Sequence, residues 1–194
     1  MTATSIKDAS RTKEGTHARP FLTDVETLRK RARAHMDDGA VTSNYGADPV
    51  QVCNVLNEAL ATEIVCVLRY RRHHFMAEGI ASEAIKAEFL QHAVEEQAHA
   101  DEIAARIVQL GGAPDFNPEG MASRSHAEYV EGATLREMIK EDLVAERVAI
   151  ESYREIIGWL QGNDSTTRKM LEGILAMEEE HADDLSSLLK GLRE

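Results

Sequence analysis

EQAH at residues 96–99 and EEEH at residues 178–181 repeat one pattern, a glutamate three residues before a histidine. Residues three apart share one face of an α-helix, so each motif offers a carboxylate and an imidazole to the same neighbour. Glu63 lies 33 residues before the glutamate of the first motif, and Glu146 lies 32 residues before that of the second. The sequence therefore predicts two matched halves, each with two carboxylates and one imidazole.

Six side chains of this kind, facing inward from four helices, make a site for two metal ions. The predicted ligands are Glu63, Glu96, His99, Glu146, Glu178 and His181. Four buried carboxylates are costly without counter-charge, which two divalent cations supply. A carboxylate-rich site with imidazole and without thiolate is typical of iron or manganese, with zinc as a competitor. EGTH at residues 14–17 repeats the spacing in a polar segment and is interpreted as unrelated.

Helical periodicity and cap residues predict four long helices. Asp48, followed by Pro49 and Gln51, predicts a helix start with a capping box, and Thr134 with Glu137 predicts another. The helices are expected over residues 48–78, 82–110, 134–161 and 165–192. They form two antiparallel hairpins, and the long link over residues 111–133 is expected to cross over along the bundle. Counted from the turns, the four glutamate ligands all lie 13–15 residues along their helices, near one level of the bundle.

The composition is typical of a helical bundle, with 43% hydrophobic, 29% charged and only 5% aromatic residues. The 194 residues suffice for one domain with a full core and a tail. The predicted fold class is all-α, with a four-helix bundle over residues 48–194 and an N-terminal region over residues 1–47. In that region, residues 1–20 predict a disordered or partner-bound tail, and residues 24–38 predict a short helix that Gly39 ends.

The formal net charge of −12 is unevenly distributed. Residues 1–35 contain eight Lys or Arg against four Asp or Glu, so they carry +4 and the remainder carries −16. The acidic remainder argues against general nucleic-acid binding, while the basic segment permits weak DNA binding through the tail. No apolar run approaches a membrane span and no signal peptide is recognised, so a cytoplasmic protein without membrane contact is expected. Cys53 and Cys66 lie roughly 20 Å apart on one predicted helix and are interpreted as buried apolar residues rather than a disulfide.

Two tyrosines follow the lone glutamates at equal spacing. Tyr70 lies seven residues after Glu63, and Tyr153 lies seven residues after Glu146. Either both tyrosines adjoin the site, as hydrogen-bond donors to a glutamate or as electron donors, or they are half-buried core residues. Five other histidines lack a paired carboxylate at useful spacing and are interpreted as surface or structural residues: His35, His73, His74, His92 and His126. For the adjacent pair His73 and His74, metal binding is a weaker alternative.

These motifs resemble those of bacterioferritins in the ferritin-like superfamily. The resemblance covers roughly residues 49–190 and runs through residues 56–70, 95–101, 141–146 and 178–181. It implies that Glu96 and Glu178 bridge two metals. It also implies that the remaining four ligands are terminal, with one glutamate and one imidazole on each metal: Glu63, His99, Glu146 and His181.

Two departures from bacterioferritins affect the expected cofactor and assembly. Bacterioferritins carry a haem-ligating Met directly after the second-helix glutamate, where this chain has Gln97, so no haem is expected. They also have a fifth helix, which the 13 residues after His181 are too few to form. With its additional N-terminal helix, the chain resembles the Dps-like miniferritins that keep a bacterioferritin-type site inside each subunit.

The leading hypothesis is therefore a ferroxidase that oxidises Fe(II) with hydrogen peroxide or dioxygen at two iron positions per subunit. Fe(III) is then stored in a homo-oligomeric shell, expected to be a dodecamer. One alternative is a non-storage di-metal enzyme, such as a rubrerythrin-type peroxidase or a manganese catalase. Another is a nucleoid-protecting miniferritin that binds DNA.

Overall fold

The computed structural model describes residues 23–79 and 82–192. Within these ranges the chain forms six α-helices and one short 3-10 turn at Met36–Asp38. The helices are α1 (Val25–Arg31), α2 (Pro49–Met76), α3 (Ser82–Gln109), α4 (Met121–Arg124), α5 (Leu135–Leu160) and α6 (Ser165–Gly191). The predicted N-terminal tail, with its EGTH sequence, lies outside the described residues.

The four long helices form the predicted bundle of two antiparallel hairpins. Helices α2 and α3 pack along each other, as do α5 and α6, and the hairpins meet where α2 contacts α5 and α3 contacts α6. The all-α fold class is thus confirmed. The long crossover is not wholly irregular, because α4 forms inside it and packs on α2. The predicted division of the chain at residue 48 stays a prediction. Val41 and Tyr45, which precede that position, pack against the bundle core.

Side-chain caps fix where three of the long helices begin. Asp48 accepts a hydrogen bond from the backbone N–H of Val50 at 2.9 Å, and Pro49 is the first helical residue of α2. The predicted reciprocal bond from the Gln51 side chain is not present. By contrast, the capping box of α5 forms as predicted, with both bonds between Thr134 and Glu137. Helix α6 begins after Asp164, whose carboxylate accepts from the N–H three residues later.

The predicted N-terminal helix over residues 24–38 is wrong in its extent. Helix α1 covers only Val25–Arg31, His35 takes a left-handed backbone conformation with φ of 52°, and a 3-10 turn follows. None of the residues of α1 is buried, and Val25 is 59% exposed. Without a packing partner, so short a helix gains little stability, and this explains why it stops early.

Two apolar clusters fill the bundle. The first apolar cluster lies towards the start of α2 and centres on Leu60, Ile103 and Leu171. The second apolar cluster lies towards the end of α2 and centres on Phe89, Ile139 and Leu185. On each long helix the predicted metal ligands fall between members of the two clusters, so the polar site forms a layer sandwiched by apolar side chains.

Helix α2 is more apolar than the sequence-based expectation allowed. It contains a window with a mean hydropathy of 1.3, long and apolar enough to cross a membrane by length and composition alone. However, 61% of that window is buried inside the bundle, and α2 also buries Glu63, Arg69 and His73. A buried core helix passes the same test, so this one helix is weak evidence for a membrane span.

A buried ion pair joins the two hairpins near the crossover. Arg69 on α2 contacts Asp142 on α5 at 2.8 Å, and both side chains are buried. Arg69 also donates to the backbone carbonyl of Glu128, while His73 bonds to Asp142 and to the carbonyl of Glu131. The crossover is therefore held in place by two buried side chains of α2, Arg69 and His73.

We predict that Asp142→Ala lowers the free energy of unfolding by about 3–5 kcal/mol, because it leaves the Arg69 guanidinium buried without its carboxylate. Guanidinium-induced unfolding at matched protein concentration measures this. Glu131→Ala is the control, since it removes the exposed partner of Arg72 and should cost less than about 1 kcal/mol. Equal losses in the two variants would contradict the importance of burial.

Candidate metal centre

The six predicted ligands meet in the layer between the apolar clusters. Helix α2 supplies Glu63, α5 supplies Glu146, and α3 and α6 each supply one Glu-x-x-His pair. Every one of these side chains is buried, and His99 is the most exposed at 7%. Because the two histidines lie three residues after their glutamates on helices, both members of each pair turn into the bundle, as the spacing predicts.

The six side chains divide into two overlapping groups. The first contains Glu63, Glu96, His99 and Glu178, and in each group the ligand atoms lie within 4.8 Å of one another. The second contains Glu96, Glu178 and the remaining pair, Glu146 and His181. The shared members are the two glutamates expected to bridge, while each terminal glutamate shares its group with one imidazole. The metal-binding role itself stays a prediction.

The imidazole Nδ1 atoms face the carboxylates of the centre without forming a hydrogen bond. Nδ1 of His99 lies 3.1 Å from Glu178, 3.4 Å from Glu63 and 3.6 Å from Glu96. Nδ1 of His181 lies between 3.4 and 3.8 Å from the three carboxylates of its own group. Each imidazole Nδ1 thus lies among three carboxylates, and the two sets of ligand atoms define two neighbouring positions.

The donor atoms of this layer fit cations. Nine buried side-chain nitrogen or oxygen atoms of the described residues have no hydrogen-bond partner. Seven of them belong to the six predicted ligands, and they include both carboxylate oxygens of Glu178 and Nδ1 of each imidazole. Buried polar atoms are normally satisfied, so a group of unsatisfied acceptors is the arrangement that a bound cation completes.

The electrostatics of the metal-free site are strongly perturbed. Burial raises the pKa of Glu63 well above its usual range, and the nearby Glu96 adds to the shift. Burial and the charges of Glu63 and Glu146 raise the pKa of Glu178 to about 8. Burial also opposes ionisation of Glu146, but its interactions with His181 and Glu178 outweigh this and lower its pKa to about 2. Without metal, the carboxylates thus share protons and imidazolium charge.

Both predicted tyrosines adjoin the site, and each reaches across to the other hairpin. The Tyr70 hydroxyl on α2 donates to Glu146 on α5, and the Tyr153 hydroxyl on α5 donates to Glu63 on α2. The half-buried alternative is wrong, because Tyr70 is 0% and Tyr153 is 1% exposed. Burial and the adjacent glutamate raise the pKa of each hydroxyl well above its usual range, so both remain donors.

Two residues outside the predicted set also contact the site. Glu95 bonds to Nε2 of His181 at 2.9 Å, a partner that fixes the ring with Nδ1 facing inward. His92 is buried, stacks on His181 with ring centroids 4.1 Å apart, and has Nδ1 3.2 Å from the Tyr70 hydroxyl. The interpretation of His92 as merely surface or structural missed this contact. Its position four residues before Glu96, one turn along the same face, was the available signal.

The remaining histidines and cysteines lie away from the centre. His73 is structural, as predicted, and His74 bonds to the Lys86 carbonyl. His126 lies 3.4 Å from Glu58 near the surface, and His35 is exposed. Both cysteines are buried and free, which agrees with the sequence interpretation.

Comparison with known proteins places the chain in a family. Residues 53–194 match Ferritin, described as a ferritin-like domain. The chain belongs to the ferritin-like family. It is 31% identical over 144 residues to the bacterioferritin of Mycobacterium tuberculosis, covering 74% of this chain and 86% of that protein. It is 30% identical over 142 residues to a nutrient stress-induced DNA-binding protein of Synechococcus, covering 72% of this chain and 81% of that protein.

Solved structures of ferritin-like proteins share the fold. The bacterioferritin-related protein of Bacteroides fragilis, described as a dodecameric thioferritin, superposes with a TM-score of 0.72 at 32% identity. The match covers 75% of this chain and 88% of that one. Dps proteins are also among the structures with this fold. The resemblance to bacterioferritins and Dps-like miniferritins is thus confirmed.

We predict that metal binding releases protons and strengthens as the pH rises from about 6 to 8. Burial disfavours the His99 imidazolium, but Glu178, Glu63 and Glu96 outweigh burial and raise its pKa to about 12. The metal-free ring is therefore protonated at neutral pH and must lose that proton to become a ligand. Calorimetric Co(II) titration in buffers of different ionisation enthalpy counts the protons.

His126→Ala should release as many protons as the unmodified protein, since His126 lies outside the centre, whereas His99→Ala should release fewer. Co(II) affinity that does not change over this pH range would contradict the protonated state of the metal-free site.

Proposed function

We propose that this protein is a ferroxidase that oxidises Fe(II) at the six-ligand centre and stores the Fe(III) in an oligomeric shell. Membership of the ferritin-like family supports iron storage as the general role. The observation that carries the finer proposal is the pair of buried ligand groups that share Glu96 and Glu178. Two cations held by shared carboxylates lie close together, as a two-electron reaction requires.

The two substrate ions would be held by two ligand sets of the same composition. One Fe(II) would contact Glu63 and His99, the other would contact Glu146 and His181, and both would contact the shared glutamates. Each set carries one imidazole and three carboxylates, of which two are shared, so two divalent ions balance the four negative charges. Both imidazoles are then neutral, since nitrogen must be unprotonated to bind metal.

The surrounding residues position the ligands and exclude water. Tyr70 and Tyr153 hold Glu146 and Glu63 by hydrogen bonds from the opposite hairpin, and Glu95 orients His181. Two Fe(II) ions together supply the two electrons that reduce one hydrogen peroxide to water, and dioxygen is the other oxidant proposed. Both tyrosines lie close enough to the ligands to donate an electron, and this role stays a prediction.

Iron is the metal proposed, with manganese or zinc as competitors for the same carboxylate and imidazole donors. No haem is proposed, because Gln97 occupies the position of the haem-ligating Met and instead bonds to Asp101. The visible absorption spectrum of the purified protein tests this. We expect the protein to be located in the cytoplasm.

We predict that Glu96→Ala or His99→Ala abolishes fast Fe(II) oxidation and the binding of two Co(II) ions at the centre. Glu96 belongs to both ligand groups, so its loss should affect both positions, whereas the loss of His99 should weaken one position first. Stopped-flow absorbance after anaerobic Fe(II) loading and addition of hydrogen peroxide or dioxygen measures the rate.

His17→Ala is the matched control, because it removes a histidine with the same Glu-x-x-His spacing outside the bundle. Its kinetics should equal those of the unmodified protein. Unchanged oxidation in both centre variants would refute the ferroxidase assignment, and peroxide turnover without iron accumulation would favour the non-storage di-metal enzyme.

We predict a closed shell of twelve subunits, with a native mass near twelve times 21.5 kDa. Mineral storage requires an enclosed cavity, and closed point-group symmetry is usual for soluble homo-oligomers. The dodecameric relative from Bacteroides fragilis supports this number. Native mass spectrometry decides between twelve subunits, a larger shell and a dimer, and a stable dimer would rule out storage inside a shell.

DNA binding is a second candidate activity, favoured by the name of the Synechococcus relative. Four exposed basic residues, Arg29, Lys30, Arg31 and Arg33, lie in or next to α1. We predict that any DNA binding requires residues 1–35, is weak and fades with salt, because only a few basic side chains are available to release counterions from the phosphates. Fluorescence anisotropy with a duplex tests a chain lacking residues 1–35. Undiminished binding by that chain at moderate salt would place the contact elsewhere.

A further inference from the structure

A third group of side chains that could hold a metal ion lies beside the proposed centre. It consists of Glu88 and His92 on α3 and Asp184 on α6, whose ligand atoms lie within 4.8 Å of one another. None of the three belongs to the six ligands of the centre. Glu88 and Asp184 are accessible to solvent, whereas His92 is only 1% exposed. The group therefore extends from the surface to a buried imidazole.

A surface cavity of about 470 Å³ leads to this group between α3 and α6. Its walls include the apolar side chains of Ile85, Leu188 and Leu192, and the carboxylates among its described lining residues are Glu88 and Asp184. A small cation entering from solvent thus meets two carboxylates in a recess whose other described walls are mainly apolar. Neither carboxylate makes a hydrogen bond to another of the described residues, so neither is neutralised by a donor in this part of the chain.

The hydrogen bonds of the centre fix which nitrogen of His92 carries the proton. The Tyr70 hydroxyl has one proton, which it donates to Glu146. The hydroxyl oxygen also lies 3.2 Å from Nδ1 of His92, and in that hydrogen bond the imidazole must be the donor. The ring proton is therefore on Nδ1. Nε2 is left with a free lone pair. That nitrogen faces a Glu88 carboxylate oxygen at 3.4 Å, so two acceptors oppose each other without a proton between them.

We propose that Glu88, His92 and Asp184 bind a third divalent cation, and that this position receives Fe(II) from solvent before it reaches the centre. Two carboxylates and one neutral imidazole nitrogen suit a hard or borderline divalent ion. A cation placed among them satisfies the lone pair of Nε2 and both carboxylates at once. Binding itself needs no ferroxidase activity, while the delivery of Fe(II) rests on the function proposed above.

The third group is connected to the centre through shared residues. His92 also belongs to a group with Glu95 and His181, whose ligand atoms again lie within 4.8 Å of one another. His181 in turn belongs to the second ligand group of the centre. Consecutive groups thus share a histidine, and a cation moving inward always has an imidazole or a carboxylate within reach. The path leads to the position that Glu146 and His181 would hold.

The test uses the full-length protein and Co(II) alone. Equilibrium dialysis should show that the double variant Glu88→Gln/Asp184→Asn binds one Co(II) fewer per chain than the control Glu102→Gln/Asp183→Asn. The control makes the same charge change on the same two helices at exposed residues outside the cavity. Anomalous scattering from Co(II)-soaked crystals of the unmodified protein should give a peak among Glu88, His92 and Asp184.

Equal Co(II) counts in the two double variants, together with no anomalous peak, overturn the site. Delivery is tested by the initial rate of Fe(II) oxidation at limiting Fe(II), which should fall several-fold in Glu88→Gln/Asp184→Asn alone. An equal rate in both double variants, with one Co(II) still lost, overturns delivery and leaves the site. If the unmodified protein oxidises no Fe(II), the proposed function fails and the Co(II) difference still decides the third site.

Discussion

Four glutamates and two histidines share one desolvated layer of the bundle, with an apolar cluster on each side. Removing several like charges from water costs several kcal/mol for each ion, so this layer is stable only with counter-charge. Without metal, protons on the imidazoles and carboxylates supply it, as the raised pKa values of Glu178 and His99 show. Divalent cations would supply it better, since they would also bind the seven buried nitrogen and oxygen atoms that lack a hydrogen-bond partner. The remaining polar contacts of the core can be understood as support for this layer.

That support comes mainly from contacts between the hairpins rather than within them. The Tyr70 and Tyr153 hydroxyls each bond to a glutamate of the opposite hairpin, so a shift of one hairpin along the other would break both bonds. At one end of the bundle, Arg69 and Asp142 form a buried ion pair between α2 and α5. At the other end, Arg106 on α3 contacts Asp164, the cap of α6, at 2.9 Å. Buried ion pairs require good geometry to offset desolvation, and here they fix the relative heights of the four helices.

The two halves of the site are alike in ligands and unlike in surroundings. Tyr153 lies among the apolar residues of the first cluster, so the Glu63 side of the centre is closed by aliphatic packing. Tyr70 contacts His92 instead, and beyond His92 lie Glu88 and the cavity between α3 and α6. Among the described residues, a polar route therefore leads to the position beside Glu146 and His181. The matched ligands would account for binding two like ions, and the unequal surroundings support the proposed direction of entry.

The sequence by itself determined the bundle and the meeting of the six proposed ligands in one layer. Helical spacing is local, so Glu96 with His99 and Glu178 with His181 had to share helix faces, and equal distances from the turns set their common level. The sequence failed for α1, where the pattern continued but none of the described residues buries the helix. Only the tertiary structure decided that Tyr70 bonds to Glu146 and Tyr153 to Glu63. Spacing within one helix does not reveal which side chain of the other hairpin faces a given residue. The same holds for His92 on α3, whose role depends on Tyr70 of α2 and on His181 and Asp184 of α6. Contacts of that kind follow from how the helices pack, and packing depends on the whole core rather than on any local pattern.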